Sequence, residues 1–427
     1  MRVQLSLAAR LTLLSCFAAI LMLGSASAAP GASAGTPLAA VQGNIAGQLR
    51  LAGPADGAYV YDVTEHKVLF SERATTMRPP ASVEKLYTAT AALERLGPEY
   101  RLSTTVYGAG HLAPGGMWEG SLYLYGGGDP TFGSSSFIHS HYGGVGSSVS
   151  TLAADLKAAG IRRVNGKVIG DESMFDSLRG EPSSDYAWDP FLEGSLSALA
   201  FNRGETGSEG GSHAPAAYAA RQLRAALRAD GVRVSGSGGA VTALPSGVIQ
   251  LAALPSPTVA QLVGLMLPPS DNFFAEMLVK ALGARLGGAG TTPAGVRVVA
   301  STIASLLGIH PRIVDGSGLS EADHTSPYEV ADLLVDLYPT PVGALLRARM
   351  AVAARTGTLE TRMRGTAAAG RCVGKTGTLT GVSNLVGYCP SANGHVLAFA
   401  VFTDGIGIPT AHTVQDHIAI TLAGSAP

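Results

Sequence analysis

The sequence predicts an α/β (α+β) fold: an antiparallel sheet flanked by helices and interrupted by one or two inserted smaller domains. Three observations predict it. Residues 58–62 and 68–70 flank a polar turn and read as a β-hairpin. Residues 371–378, 383–389 and 396–403 read as three consecutive antiparallel strands, and long apolar runs at helical spacing accompany both groups. Between them, residues 101–251 change texture to short β-like runs separated by Gly-rich turns. Two ends of one texture around a different middle fold most economically as one sheet-and-helix unit with an insertion.

The chain has 427 residues and a formal charge of −1, so it carries no basic footprint for nucleic acid. That length suits two or three domains. Residues 1–28 read as a secretory signal: Arg2 and Arg10, an apolar core over 11–23, then Ala26-Ser27-Ala28 as a small-residue cleavage site. The apolar core is shorter than the ~20 residues a spanning helix needs. Cys16 lies inside that core, which argues against a lipid anchor. Export to the periplasm or extracellular space follows. Residues 29–40 read as a flexible Ala/Gly/Ser/Pro leader, 41–100 as the first part of the sheet-and-helix domain, 101–251 as the insertion and 252–427 as the second part.

Each element has its own cue. Residues 41–51 look helical. Pro79-Pro80 block helix, and the strong helix formers after Ser82 run to a stop at Gly97. Within the insertion, residues 121–125 and 163–169 read as strands, 151–159 and 214–229 as helices, and 231–246 as strand and turn. Helices follow at 258–267, 273–286, 294–307, 327–337 and 410–422.

Three short motifs stand in order: Ser82-x-x-Lys85, Ser270-Asp271-Asn272 and Lys375-Thr376-Gly377. Alone, each is more often a helix cap or a strand end. Together, and each in context, they form one chemical set. Ser82 and Lys85 share the first helical turn, so the lysine can take the serine proton once burial and neighbouring cations lower its pKa. Ser270 can pass a proton to a leaving group, and Asn272 can bind a substrate amide. Lys375 keeps the site electropositive, Thr376 and Thr378 offer hydroxyls to a carboxylate, and Gly377 lets backbone approach closely. The backbone N–H groups of Ser82 and Thr378 are the expected oxyanion hole.

Cys372 and Cys389 remain after processing, and two cysteines in an exported protein read as one disulfide. With Thr380-Gly381 as a two-residue turn, the register sets Cys372 opposite Cys389 at a non-hydrogen-bonded pair. His139 and His141 read as loop residues without further ligands nearby, and His412 and His417 as helix residues. No metal and no cofactor are expected.

The motif set is that of penicillin-binding proteins and class A β-lactamases. The stretch from Ser82 to Ser270 is too long for a simple β-lactamase-like domain. The chain resembles the class C low-molecular-mass penicillin-binding proteins, the D-alanyl-D-alanine carboxypeptidase/endopeptidase family. The resemblance covers residues 57–422 and includes Gly126-Gly127-Gly128-Asp129-Pro130, Gly170-Asp171, Phe175-Asp176, Asn202, the DGSGLS run at 315–320, and Gly357-Thr358-Leu359 through Gly387-Tyr388. It departs from the family at Pro268-Pro269, where polar residues are usual. The resemblance implies a transpeptidase-like (β-lactamase-like) domain with nested insertions. It also implies cleavage of peptidoglycan stem peptides at terminal D-Ala or at the D-Ala–diaminopimelate crosslink, and acylation by penicillin and other β-lactams. It offers Asp176 as a candidate for the acidic residue that holds the stem-peptide side chain.

Overall fold

The computed structural model describes residues 37–205, 211–241 and 243–427. The expected export signal at 1–28 and residues 29–36 of the expected leader lie outside the described residues. Helix α1 (Leu38–Ala52) begins inside the stretch expected as leader, and it buries Val41, Ile45 and Leu49 along one face. Strands β1 (Gly57–Asp62) and β2 (Lys67–Glu72) form the expected hairpin. The expected helix at Ser82 starts differently. Ala81–Glu84 form a 3-10 turn, with Val83 N–H bonded to the Pro80 carbonyl at 3.3 Å, and only then does α2 (Lys85–Arg95) begin. The tight entry follows from the two prolines and from Ala81, which sits at φ 48°.

The next stretch builds a seven-stranded sheet of its own. It contains β3 (Arg101–Ala113), β4 (Met117–Tyr125), helices α3 (Ser135–Tyr142) and α4 (Val149–Ala158), then β5 (Arg163–Asn165), β6 (Val168–Asp171), α5 (Pro215–Ala229), β7 (Arg233–Val234), β8 (Gly239–Val241) and β9 (Ile249–Thr258). Helices α4 and α5 cover one face through Leu152, Leu156, Ala220 and Leu223. Three features here differ from expectation. Strand β3 is long although Gly108 interrupts its apolar pattern, because the Trp118 ring fills the place of a side chain at 108. His139 and His141 lie on α3, not in a loop; Ser134 caps it by accepting from Phe137 N–H at 3.2 Å, and Gly143 ends it in the left-handed conformation. Strand β9 crosses the expected boundary at residue 251. Its Pro255 and Pro257 hid it, and they are tolerated because β9 is an edge strand.

Helices return with α6 (Val259–Met266), α7 (Asn272–Leu286), α8 (Thr292–Leu307), α9 (Pro327–Leu337) and α10 (Pro341–Arg349). Helix α10 is hidden in the sequence by Pro341, which looks like a breaker but occupies the first turn behind the Thr340 cap. Strands β10 (Ala351–Val352), β11 (Val373–Leu379), β12 (Val382–Pro390) and β13 (Val396–Asp404) precede α11 (Ile408–Ala423). They join the first hairpin in a six-stranded antiparallel sheet of order β10-β11-β12-β13-β1-β2. The β1–β13 pairing brings the two ends of the described chain together. Strand β13 is buried on both faces: Leu397, Phe399 and Val401 pack towards α1 and α11, while Ala398, Ala400 and Phe402 pack towards α2 and α7 to α9.

The hairpin turn lies at Thr380-Gly381, with Leu379 opposite Val382 and Val373 opposite Tyr388. One step further out, Cys372 and Cys389 are disulfide-bonded with Cα atoms 4.3 Å apart. The bridge fixes the outer end of the hairpin, three residues along β11 from Lys375. From the chain it closes, replacing both cysteines by alanine is expected to cost about 3 kcal/mol. Urea unfolding of the two proteins measures this, and a loss below about 1 kcal/mol would contradict it.

Candidate active site

The site forms where the 3-10 turn before α2 meets the start of α7 and the strand β11. Gly377 and Gly318 make this approach possible. A Cβ on Gly377 would collide with the Pro80 carbonyl oxygen, and one on Gly318 with that of Ala81. Asn384 on β12 ties the same turn down, donating from Nδ2 to the carbonyls of Pro79 at 3.0 Å and Pro80 at 2.9 Å.

Lys85 is fully buried at the first position of α2. Its Nζ donates to Ser82 Oγ at 2.8 Å, Asn272 Oδ1 at 2.6 Å and the Ser317 carbonyl at 2.6 Å. Three acceptors match the three hydrogens of an ammonium. Burial pulls its pKa down to about 8, against the opposing pull of Asp315, Glu276, Asp271 and Glu84. The Ser317 carbonyl is held by the DGSGLS turn. There the Asp315 carboxylate accepts from the N–H groups of Ser317 at 3.0 Å, Gly318 at 2.6 Å and Ser320 at 2.7 Å. Around it, burial and then the Asp315 charge push the carboxyls of Glu84, Glu276 and Asp323 up. This drift towards the neutral form lessens the negative charge beneath the lysine.

Ser270-Asp271-Asn272 closes the second side. Asp271 caps α7 by accepting from Phe274 N–H at 3.0 Å, which makes Asn272 the first helical residue. Ser270 sits at φ 68°, a left-handed conformation uncommon for serine. Its Oγ accepts from Lys375 Nζ at 2.7 Å. The Pro268 carbonyl before it accepts from Thr358 N–H at 3.0 Å, so the unusual prolines are braced by the Gly357-Thr358-Leu359 turn. Asn272 Nδ2 donates to the Phe191 carbonyl at 2.8 Å.

Lys375 is fully buried on β11, and its Nζ also donates to the Thr376 carbonyl at 2.8 Å. Burial first, and then the charge of Lys85, hold its pKa well below the usual lysine range. Burial is thus the larger cause for both lysines, and for Lys375 the charge of Lys85 adds to it. Thr376 Oγ1 donates to Thr358 Oγ1 at 2.8 Å. Ser82, Asn272 and Thr378 line one cleft of about 490 Å³ together with Glu181, Asp189, Phe191, Leu319 and Ile408.

The structure therefore brings Ser82, Lys85, Ser270, Asn272, Lys375, Thr376, Gly377 and Thr378 together. Asp176 lies apart from the residues lining this cleft. Its Oδ1 accepts from the buried Lys280 Nζ at 2.6 Å and from Leu178 N–H at 3.0 Å. Glu181, Asp189 and Phe191 stand at single 3-10 turns, Pro182–Ser184 and Pro190–Leu192, in a stretch with no motif or periodicity to single them out. Thr358 lay in a run singled out for resemblance, but nothing in its spacing pairs it with Thr376. The Asp176 geometry predicts that Asp176→Asn lowers folding stability by roughly 3 kcal/mol, as expected for breaking a mostly buried pair. It also predicts little change in β-lactam acylation. Unchanged stability with weakened peptide binding would instead assign Asp176 to the substrate.

The sequence profile of the D-Ala-D-Ala carboxypeptidase 3 (S13) family matches residues 39–194 and 191–424. The D-alanyl-D-alanine carboxypeptidase of Actinomadura sp. (strain R39) is 31% identical over 460 residues, covering 87% of this chain and 82% of that protein. Carboxypeptidase DacB of Mycolicibacterium smegmatis is 30% identical over 390 residues, covering 83% and 77%. In fold, penicillin-binding protein 4 of Haemophilus influenzae superposes with a TM-score of 0.74 at 20% identity, covering 88% of this chain and 98% of that one. The two-part profile match spans both the segment carrying Ser82 and the segment carrying Ser270 and Lys375, and so the chain belongs to the D-Ala-D-Ala carboxypeptidase 3 (S13) family.

Proposed function

We propose that the protein is an exported serine D-Ala-D-Ala carboxypeptidase that remodels peptidoglycan stem peptides through an acyl-enzyme on Ser82. The contact of Lys85 Nζ with both Ser82 Oγ and Asn272 Oδ1 carries this reading. A neutral Lys85 takes the Ser82 proton as Oγ attacks the penultimate D-Ala carbonyl. The N–H groups of Ser82 and Thr378 receive the developing oxyanion. Asn272 binds the substrate amide, and Ser270 hands its hydroxyl proton to the departing amine while recovering one from Lys375 Nζ, which donates to it at 2.7 Å. Lys375, Thr376 and Thr378 bind the terminal carboxylate, and Gly377 keeps the strand close to the Ser82 turn. Water then releases the acyl group and restores Ser82.

A β-lactam presents a carboxylate and a strained amide to the same groups, so it acylates Ser82 too. Cleavage of a D-Ala–diaminopimelate crosslink has the same acyl donor and differs only in the leaving amine, so endopeptidase activity belongs to the same proposal. Asp189, half-buried in the lining of the cleft, offers it a carboxylate suited to a cationic stem-peptide side chain. The seven-stranded sheet and its helices constitute the proposed insertion, and the first and last parts of the chain constitute the transpeptidase-like domain. The proposed site of action is the periplasm or the extracellular cell-wall space. Among the described residues no helix is long and apolar enough to cross a membrane.

Two measurements test this. A diacetyl-L-Lys-D-Ala-D-Ala peptide is expected to release free D-Ala with the wild type and none with Ser82→Ala; release by that variant would refute the nucleophile. The rate of benzylpenicillin acylation is expected to rise with pH through about 8, where Lys85 becomes neutral. Below that value it should fall about tenfold per pH unit. A flat profile from about pH 6 to about pH 9 would require a base other than Lys85.

A further inference from the structure

The Ser270-Asp271-Asn272 tripeptide is gripped from the middle stretch of the chain. Arg203 comes from the irregular chain between β6 and α5, and its guanidinium is almost wholly buried. One nitrogen, Nη2, pairs with Asp271 Oδ2, and the other, Nη1, reaches Glu193 Oε2 at 3.4 Å. The Arg203 guanidinium carbon lies 5.2 Å from the ring centre of Phe273, 5.8 Å from that of Phe274 and 6.0 Å from that of Tyr142. These rings are the next two residues of α7 and the last residue of α3.

The arm that presents Arg203 is itself built for the purpose. Asn202, Arg203 and Gly204 all take left-handed backbone conformations, at φ 49°, 60° and 71°. Two of the three are not glycine, so tertiary contacts must hold them there. Asn202 N–H donates to the Phe132 carbonyl at 2.9 Å, Asn202 Oδ1 accepts from Ser134 N–H at 2.8 Å, and the Arg203 carbonyl accepts from Ser195 N–H at 2.8 Å. The same stretch of chain supplies the Phe191 carbonyl to Asn272 Nδ2.

We infer that Arg203 is a positioning residue for the reaction: through Asp271 it aims the Ser270 hydroxyl and the Asn272 amide at the Ser82 acyl centre. Asp271 has two jobs and one oxygen for each. Oδ1 caps α7, and Oδ2 is fixed by Arg203, so the plane of the carboxylate and the backbone on either side of it are set together. The neighbouring Ser270, held at positive φ, has its direction set by that backbone. This makes the middle stretch part of the catalytic apparatus, and its own sheet the anchor of the arm. The inference rests on the serine acyl-enzyme reading proposed above.

The test is the full-length mature protein labelled with benzylpenicillin and followed by intact mass, for the wild type, Arg203→Met, Arg203→Lys and the double variant Arg203→Met/Asp271→Asn. The final extent of labelling counts folded, competent sites, and the rate constant per competent site reports their geometry. Arg203→Met leaves Asp271 buried without its partner and will lose stability; the double variant removes that charge while asparagine keeps the helix cap. A positioning role predicts a rate constant per competent site lowered about 30-fold or more in both, as expected for a small misplacement of reacting groups. Arg203→Lys should recover part of it. A purely structural role lowers only the extent of labelling and the melting temperature. A rate constant within about twofold of wild type in Arg203→Met, or its full recovery in the double variant, overturns the inference. A wild type that takes up no label would instead remove the acyl-enzyme reading on which the inference stands.

Discussion

Burying Lys85 removes an ammonium from water, and that cost is offset only where the protein supplies acceptors in its place. Here there are three, and each comes from a different segment: Ser82 from the turn before α2, Asn272 from α7, and the Ser317 carbonyl from the loop before α9. The lysine is therefore the point at which distant parts of the chain are forced into register. Much of the surrounding architecture follows from keeping those three oxygens where they are. Asp315 folds the DGSGLS turn around its carboxylate, Asp271 caps α7, and Asn384 pins the Pro79–Pro80 carbonyls to the sheet.

The same burial tunes the chemistry. A lysine in water is protonated at neutral pH and cannot act as a base. Loss of solvent brings Lys85 to about 8, within reach of neutral conditions. The nearby acids oppose that, and two of them, Glu84 and Glu276, are themselves driven towards the neutral form by burial and by Asp315. A second buried lysine, Lys375, is close enough for the Lys85 charge to lower its pKa further. Charge balance in the site thus depends on side chains that never touch the cleft.

Much of this was legible in the sequence, for physical reasons. The three motifs are short because each reactive pair sits within one turn or one strand, so spacing alone brings Ser82 to Lys85 and Ser270 to Asn272. The last three strands were legible because β12 and β13 are buried on both faces and read as long apolar runs. The disulfide followed from hairpin register. What stayed hidden depends on contacts between remote segments. Strand β9 carries prolines that only an edge position excuses, and the expected boundary at 251 fell inside it. The 3-10 turn at Ser82 arises from strain at Ala81 that a helix-forming composition does not reveal. Phe191 and Arg203 lie in short 3-10 turns between β6 and α5, where no periodicity marks what a side chain or carbonyl will meet. Asp176 illustrates the converse: its place in a run resembling the family suggested substrate contact, yet the buried Lys280 occupies its carboxylate.

Every step of the proposed reaction passes through an acyl group on Ser82. The most direct test is the mass of the intact mature protein after exposure to benzylpenicillin, with the modified peptide identified by fragmentation. One stoichiometric adduct on the Ser82 hydroxyl, absent from Ser82→Ala, is the predicted result. An adduct on any other residue, or undiminished labelling of Ser82→Ala, would contradict the account.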